Sequence, residues 1–355
     1  MKKLKVAIIG AGNISNTRHI PALKKISNVI IDGVIGTSEK NVIDTIKKYK
    51  INNRLVLDKN KSYLDSMSEC EWFKNIDAVI IGTPPKEHFL LAQAALKLKK
   101  HVLVEKPMTM DIDEADILIK LSEENKRRFC VMHNFQYASG MLKLEKLIKN
   151  GKLGNIVSFD EYQYTNKNRR LPEWYNELPL GLFFDEAAHF IYLLEKLGGE
   201  IIVDNVFANY DKDPDVNTPI LLNASMRTGK YPVHLFVNFN SPICEWYFII
   251  VGDKKIAIYD LFKDILIILP TDNEHYAMDV FKTSVRFTVQ HWIGFIKNGF
   301  KMLTGNLLYG HDKVIYNFLN SIDDYSNIDV NIDCTQGYKT VKYMNNIIEI
   351  VNKRG

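Results

Sequence analysis

Residues with the types and spacing for chemistry stand at separate places along this chain. Gly10-Ala11-Gly12-Asn13-Ile14-Ser15 follows directly on the apolar run Val6–Ile9. Gly10 permits a tight turn there, and Gly12 lets backbone N–H groups approach a pyrophosphate. Ser15 replaces a third glycine and is still small enough for close helix packing. The pattern suits a dinucleotide, although an ordinary strand-to-helix turn could use the same glycines. Further on, Lys106 precedes Pro107. A residue before proline is pushed toward extended backbone, so Lys106 should continue the strand that carries it. A partly desolvated lysine beside a nicotinamide can give a proton to a substrate oxygen or take one from it. The plain alternative is a surface lysine with a structural proline behind it. Asp185 and His189 stand four apart at the head of a helical stretch, Glu186–Leu197, which places both on one face. Such a pair can orient an imidazole for proton transfer or bind a hydroxyl. A capping aspartate and a buried histidine would read the same way. With no second histidine or cysteine at ligand spacing beside them, no metal is expected.

The elements that must position these residues come in two textures. From Val6 to Met132, β-branched runs (Val6–Ile9, Val29–Ile35, Leu55–Leu57, Ala78–Ile81, His101–Val104, Phe129–Met132) alternate with amphipathic stretches at Lys40–Lys50, Glu87–Leu98 and Asp113–Asn125. That alternation predicts a doubly wound parallel sheet of the α/β Rossmann type, with its cleft at the C-terminal ends of the strands. Beyond residue 135 come one helix, Met141–Asn150, and then strands at Ile156–Thr165, Ile220–Arg227, Val233–Asn240, Glu245–Val251 and Lys255–Asp260. These predict an α+β domain with a large, mostly antiparallel open sheet. The expected division is a dinucleotide-binding domain over 1–132 and a substrate-binding and oligomerisation domain over 133–355, whose C-terminal helix can pack back on the first. The cofactor's ribose should meet the end of the second strand. Asp32 lies inside that strand, while its tip reads Gly36-Thr37-Ser38-Glu39-Lys40. Thr37 and Ser38 with Lys40 suit a 2′-phosphate and Glu39 a ribose diol, so the reading leans to NADP and keeps NAD open.

Composition excludes several classes. The 355 residues carry 46 basic and 42 acidic side chains, a net +4, far from the excess a nucleic-acid grip needs. Four scattered cysteines, Cys70, Cys130, Cys244 and Cys334, suggest neither a disulfide framework nor a zinc site, and point to a reducing compartment. No apolar run is long enough for a membrane span, and the basic start Met1–Lys5 with its short apolar sequel reads as structure, not as a signal peptide. Residues 281–308 mix Phe287, Trp292, Phe295 and Phe300 with Lys282, Arg286, Lys297 and Lys301. A helix packed between the domains explains this stretch; peripheral association with an anionic membrane is the rival reading.

The segment from Val6 to His19, Thr83-Pro84-Pro85 followed by His88, Glu105-Lys106-Pro107 after His101–Val104, and Asp185 with His189 together resemble the glucose-fructose oxidoreductase / inositol dehydrogenase / MocA (Gfo/Idh/MocA) family. The resemblance runs along the whole chain. It implies a cytoplasmic NAD(P)-dependent dehydrogenase or reductase, a homodimer or homotetramer, acting on a secondary alcohol or ketone of a sugar, cyclitol or nucleotide-linked sugar. Asn13, Ile14, Thr83, Pro84, His88, Glu105 and Lys106 would join Gly10, Gly12, Thr37 and Ser38 around the cofactor. Lys106, Asp185 and His189 would be catalytic. This chain departs from the family pattern at Ala187, where a glycine is usual, and at Gln136, near a missing arginine. Gln136 and Tyr137 can still hydrogen-bond a sugar hydroxyl. The loop with Lys167, Arg169, Arg170, Trp174 and Tyr175 could clamp a phosphate or sugar ring, or simply be solvated. Two further functions fit the same residues: a glycoside hydrolase using bound NAD for transient oxidation and elimination, and a non-catalytic dinucleotide-binding regulator.

Overall fold

The computed structural model describes residues 3–169, 171–211, 216–272, 274–323 and 327–353. The chain divides into two units, residues 1–134 with 311–342, and residues 135–310 with 343–355.

In the first unit, β1 (Leu4–Ile9), β2 (Val29–Gly36), β3 (Asn53–Val56), β4 (Ala78–Ile81), β5 (His101–Val104) and β6 (Phe129–Val131) form a parallel sheet in the order β3-β2-β1-β4-β5-β6. The predicted doubly wound sheet is therefore present. Ala78–Ile81 and His101–Val104 are buried at every position, as strands covered on both faces must be. Ile9, Val79, Ile81, Val102 and Val104 share one core cluster. The connections hold α1 (Ile20–Leu23), α2 (Glu39–Tyr49), α3 (Tyr63–Ser68), α4 (Glu71–Lys74), α5 (His88–Lys97) and α6 (Ile112–Glu124). The starts of α2, α3 and α6 are set by capping oxygens: Ser38 accepts from the Asn41 N–H, Ser62 from Asp65 and Asp111 from Glu114.

The second unit opens with α7 (Ser139–Lys149), followed by β7 (Ile156–Asn166), α8 (Leu182–Gly198), β8 (Ile201–Asn209), β9 (Leu221–Thr228), β10 (Tyr231–Ser241), β11 (Glu245–Gly252), β12 (Lys255–Asp260), β13 (Ile265–Pro270) and α9 (Ala277–Leu303). Its seven-stranded sheet runs β13-β12-β11-β7-β10-β9-β8 and is antiparallel except for the central pair β7 and β10. Alternate β7 residues are buried, the signature of a sheet covered on one face. The position before α7 is Ala138, which cannot cap. Asp264 does so from a distance, accepting the Ser139 and Gly140 N–H groups at 3.1 and 2.7 Å and the Tyr259 hydroxyl at 2.9 Å.

The chain then returns to the first unit through α10 (His311–Asp323), and α11 (Cys334–Asn352) closes it. Val131 N–H donates to the Ile332 carbonyl at 2.8 Å, and Arg128 Nε to the Ser321 carbonyl at 2.9 Å. These backbone ties accompany 311–342 in the first unit; the sequence assigns 133–355 to one domain whose C-terminal helix can pack back on the first. The expected strands are present, several to the residue, and β8 and β13 add to them. Most of residues 281–308 lie in α9, in which Asn298 is the buried residue. No helix among the described residues is long and apolar enough to cross a membrane.

Candidate active site

At the tip of β1, Gly10 has φ +99°, and a Cβ on it would stand 2.5 Å from the Gly82 carbonyl oxygen. Only glycine fits both conditions. Gly12 differs, since a Cβ there would meet nothing within 4 Å. The packing of the protein therefore does not require glycine at 12, whereas a pyrophosphate laid against the backbone would. Asn16 Nδ2 pins the loop by donating to the Gly12 and Ala11 carbonyls at 3.0 and 3.2 Å. Asn13 is exposed and Ile14 half-buried beside it, while Thr37 and Ser38 are exposed beyond the tip of β2. Past the tip of β4, Thr83 Oγ1 is buried with no hydrogen-bond partner among the described residues, and Pro84 is half-buried after it. The open space at Gly12 and the orphaned hydroxyl at Thr83 fit a dinucleotide.

His88 does not fit as a direct cofactor ligand. It is fully buried, with Nδ1 2.7 Å from the Pro107 carbonyl and Nε2 3.0 Å from the Thr83 carbonyl. Burial holds its pKa below the ordinary value. The imidazole instead ties the segment after β4 to the one after β5. Lys106 follows β5, half-exposed, and its peptide with Pro107 is cis. Behind it, Glu105 accepts the Lys106 N–H through Oε2 at 3.3 Å and meets His19 Nε2 through Oε1 at 2.8 Å. His311 Nε2 lies 3.7 Å from the same oxygen. Burial raises the Glu105 pKa, but the two histidines outweigh it and hold the carboxyl well below its usual range; burial lowers that of His19. A neutral His19 donating to an ionised Glu105 accounts for both. His19, Glu105 and His311 could hold a metal by residue type. Ligands around a tetrahedral ion would sit about 3.3 Å apart, however, so the 2.8 Å contact is that of a hydrogen bond. Residues so far apart in sequence gave no local signal of this cluster beyond His19 and Glu105 in the family pattern.

A groove of about 580 Å³ in the same unit is lined by Thr37, Lys59, Lys61, Tyr63 and Lys86 among others. Asp32, in contrast, is tied to Asn53 Nδ2 at 3.3 Å and to Lys5 at 3.7 Å, part-way along β2.

In the second unit, α8 starts three residues before Asp185. Gly181 is its N-cap (φ +56°), a Cβ there would clash with Thr218, and Thr218 Oγ1 accepts the Leu182 N–H at 2.9 Å. The capping reading of Asp185 is thereby excluded, and the carboxylate lies in the first turn, where the helix dipole favours it. His189, one turn on, is buried, with the Phe135 ring edge-on at 4.7 Å and Trp246 at 6.0 Å. Its Nδ1 is 2.8 Å from the Tyr192 hydroxyl, which accepts the Phe135 N–H at 3.1 Å and can pass its own proton to the imidazole. Tyr192 was missed in the sequence, although its place three residues after His189 is a readable signal. Gln136 and Tyr137 are buried, Tyr137 beneath Lys196 Nζ at 5.3 Å from its ring. Arg169 pairs with buried Glu186, so its charge is met within the unit and the phosphate-clamp reading loses its main cation. Trp174 is half-buried in the turn Glu173–Glu177, Lys167 is exposed, and Arg170 lies outside the described residues. Lys106 thus belongs to the first unit, and Asp185 and His189 to the second.

A family model described as oxidoreductase family, NAD-binding Rossmann fold, matches residues 4–133, and its companion, oxidoreductase family, C-terminal alpha/beta domain, matches residues 145–354. The glucose-6-phosphate 3-dehydrogenase of Bacillus subtilis is 32% identical over 154 residues, 43% of this chain and 40% of that protein. The myo-inositol 2-dehydrogenase of Thermotoga maritima is 27% identical over 210 residues, 58% of each chain. The matched stretches thus span only about half the length of these curated relatives. In fold, the WlbA dehydrogenase from Bordetella pertussis, solved with NADH and UDP-GlcNAcA, aligns at a TM-score of 0.75 and 17% identity over 100% of this chain and 97% of that one.

Proposed function

This chain belongs to the Gfo/Idh/MocA family of NAD-binding oxidoreductases, and we propose that it is an NAD(P)-dependent dehydrogenase of a secondary alcohol, or reductase of the matching ketone, on a sugar, cyclitol or nucleotide-linked sugar. The observation that carries this reading is that the two family matches run through the residues singled out by chemistry, Gly10, Gly12 and Lys106 in one and Asp185 and His189 in the other.

Gly10, Gly12, Asn13 and Thr83 hold the dinucleotide, whose nicotinamide supplies the hydride acceptor or donor when bound. In the oxidative direction, Lys106 or His189 takes the substrate's hydroxyl proton. Asp185 supports that transfer. Tyr192, through its hydroxyl on Nδ1, fixes the ring of His189. Glu105 and His88 hold the backbone on either side of Lys106. Thr37 and the lysines of the neighbouring groove support a 2′-phosphate, and hence NADP over NAD, because Asp32 is engaged elsewhere.

The test is a panel of free sugars, cyclitols and nucleotide-linked sugars, followed by the absorbance of reduced nicotinamide with each cofactor. A substrate-dependent change, larger with NADPH or NADP, is expected. Glycoside cleavage with no net change in cofactor would replace this reading with transient oxidation and elimination. Tight dinucleotide binding without turnover of any compound would replace it with a regulator.

A further inference from the structure

Helix α9 is amphipathic the wrong way round for a helix that rests only on its own protein. It is held to β13 and the turn before it by polar and small residues. Gln290 exchanges hydrogen bonds with the Ile268 backbone at 3.0 Å, and Asn298 Nδ2 donates to the Lys263 and Asp264 carbonyls at 2.9 and 2.8 Å. A Cβ on Gly294, between them, would touch Ile265 at 3.0 Å. At 100° per residue, the opposite face carries Phe281, Trp292, Ile296 and Leu303, exposed by 62, 55, 67 and 89%. Ile293 and Phe300, at 64 and 69%, widen it on one side, and Phe295 on the other. The stripe runs the length of a helix of 27 residues, about 40 Å at the usual rise.

We propose that α9 lies in the surface of a membrane containing anionic lipid, with this stripe among the acyl chains. Charge argues for that occupant. Lys282, Arg286 and Lys297 fall along one flank of the stripe, with Asp279 as the helix's only acidic residue, while Lys301 turns to the protein and donates to Ser139 Oγ at 3.4 Å. Asp272 and Glu274 precede the helix. A second copy is the other natural cover for such a face. Brought up antiparallel, it would set this basic flank against its own like, and the apolar stripe is wider than the narrow seam that helix pairing uses. A basic flank beside a broad face rich in Phe and Trp is the composition of an interfacial helix. The charged residues rule out spanning, so the helix lies in the surface plane.

Flotation of the full chain with phosphatidylcholine vesicles, with and without phosphatidylglycerol, tests this. The account expects binding to the anionic vesicles at low salt, stronger by roughly 30-fold than to neutral ones for a net two positive charges, and weakened by added salt. The double variant Lys282→Glu/Arg286→Glu should abolish the lipid preference, and Trp292→Ser/Ile296→Ser the binding itself. Both should leave circular dichroism and melting unchanged, because these side chains are exposed. Failure to float with anionic vesicles overturns the proposal. So does a concentration-dependent dimer that Trp292→Ser/Ile296→Ser dissolves while flotation is unaffected.

Discussion

The glycines of the first loop have different reasons for being glycine, and substitution separates them. Gly10→Ala places a Cβ 2.5 Å from the Gly82 oxygen at φ +99°, a strain of about 1–3 kcal/mol or more, and should lower the melting temperature. Gly12→Ala adds a Cβ that meets no protein atom within 4 Å and should leave melting unchanged while removing dinucleotide binding, as titration of protein fluorescence with NADPH would show. Unchanged binding would mean that no pyrophosphate lies there. Tyr192→Phe removes the hydroxyl from His189 Nδ1. The expectation is a fall in kcat of roughly 10-fold with a displaced pH profile, smaller than the roughly 100-fold or more at stake in the proton transfer itself. A change in melting with no change in the profile would make Tyr192 structural. At this scale the sequence was partly legible. The motifs named Gly10, Lys106, Asp185 and His189, but not the Tyr192 hydroxyl or the engagement of Arg169 by Glu186, which arises only when β7 and α8 pack.

Among the elements, strands of the first sheet were readable because burial on both faces demands continuous β-branched runs. β8 was not, because an edge strand with few buried positions keeps only a broken pattern. The orientation of α9 was illegible for a related reason, since periodicity shows an apolar face without saying which way it points. Some elements depend on single polar groups. Asp264→Ala would leave the buried Gly140 N–H and the part-buried Ser139 N–H at the head of α7, and the Tyr259 hydroxyl, without their acceptor, and chemical denaturation should show a loss of about 3 kcal/mol. At the start of β5, His101 Nδ1 accepts the Arg128 N–H at 2.9 Å, which requires an unprotonated nitrogen. Burial, with Arg127 and Arg128 nearby, lowers its pKa to about 4. The unfolded chain takes up that proton near pH 6.5 and the folded one only near 4, so stability falls as pH drops through this window. Melting temperature against pH should show the slope, and His101→Asn, which keeps an acceptor, should flatten it. An unaltered slope would clear His101.

For the whole molecule, the sequence changes near residue 132 from alternating strands and helices to successive strands. A C-terminal helix packing back on the first domain is expected from the sequence, but the return of α10 with it is not, because it rests on backbone bonds at Val131 and Ile332 and on the approach of His311 to Glu105, none of which leaves a local pattern. That return reinforces the base of Lys106, on which the proposed chemistry depends. Lys106→Met keeps the bulk of the side chain and removes its proton, so it tests the central claim most directly. With a substrate identified, the variant should bind NADPH as the parent chain does and lose turnover by roughly 100-fold or more; parental turnover in a folded, cofactor-binding Lys106→Met protein would contradict the account.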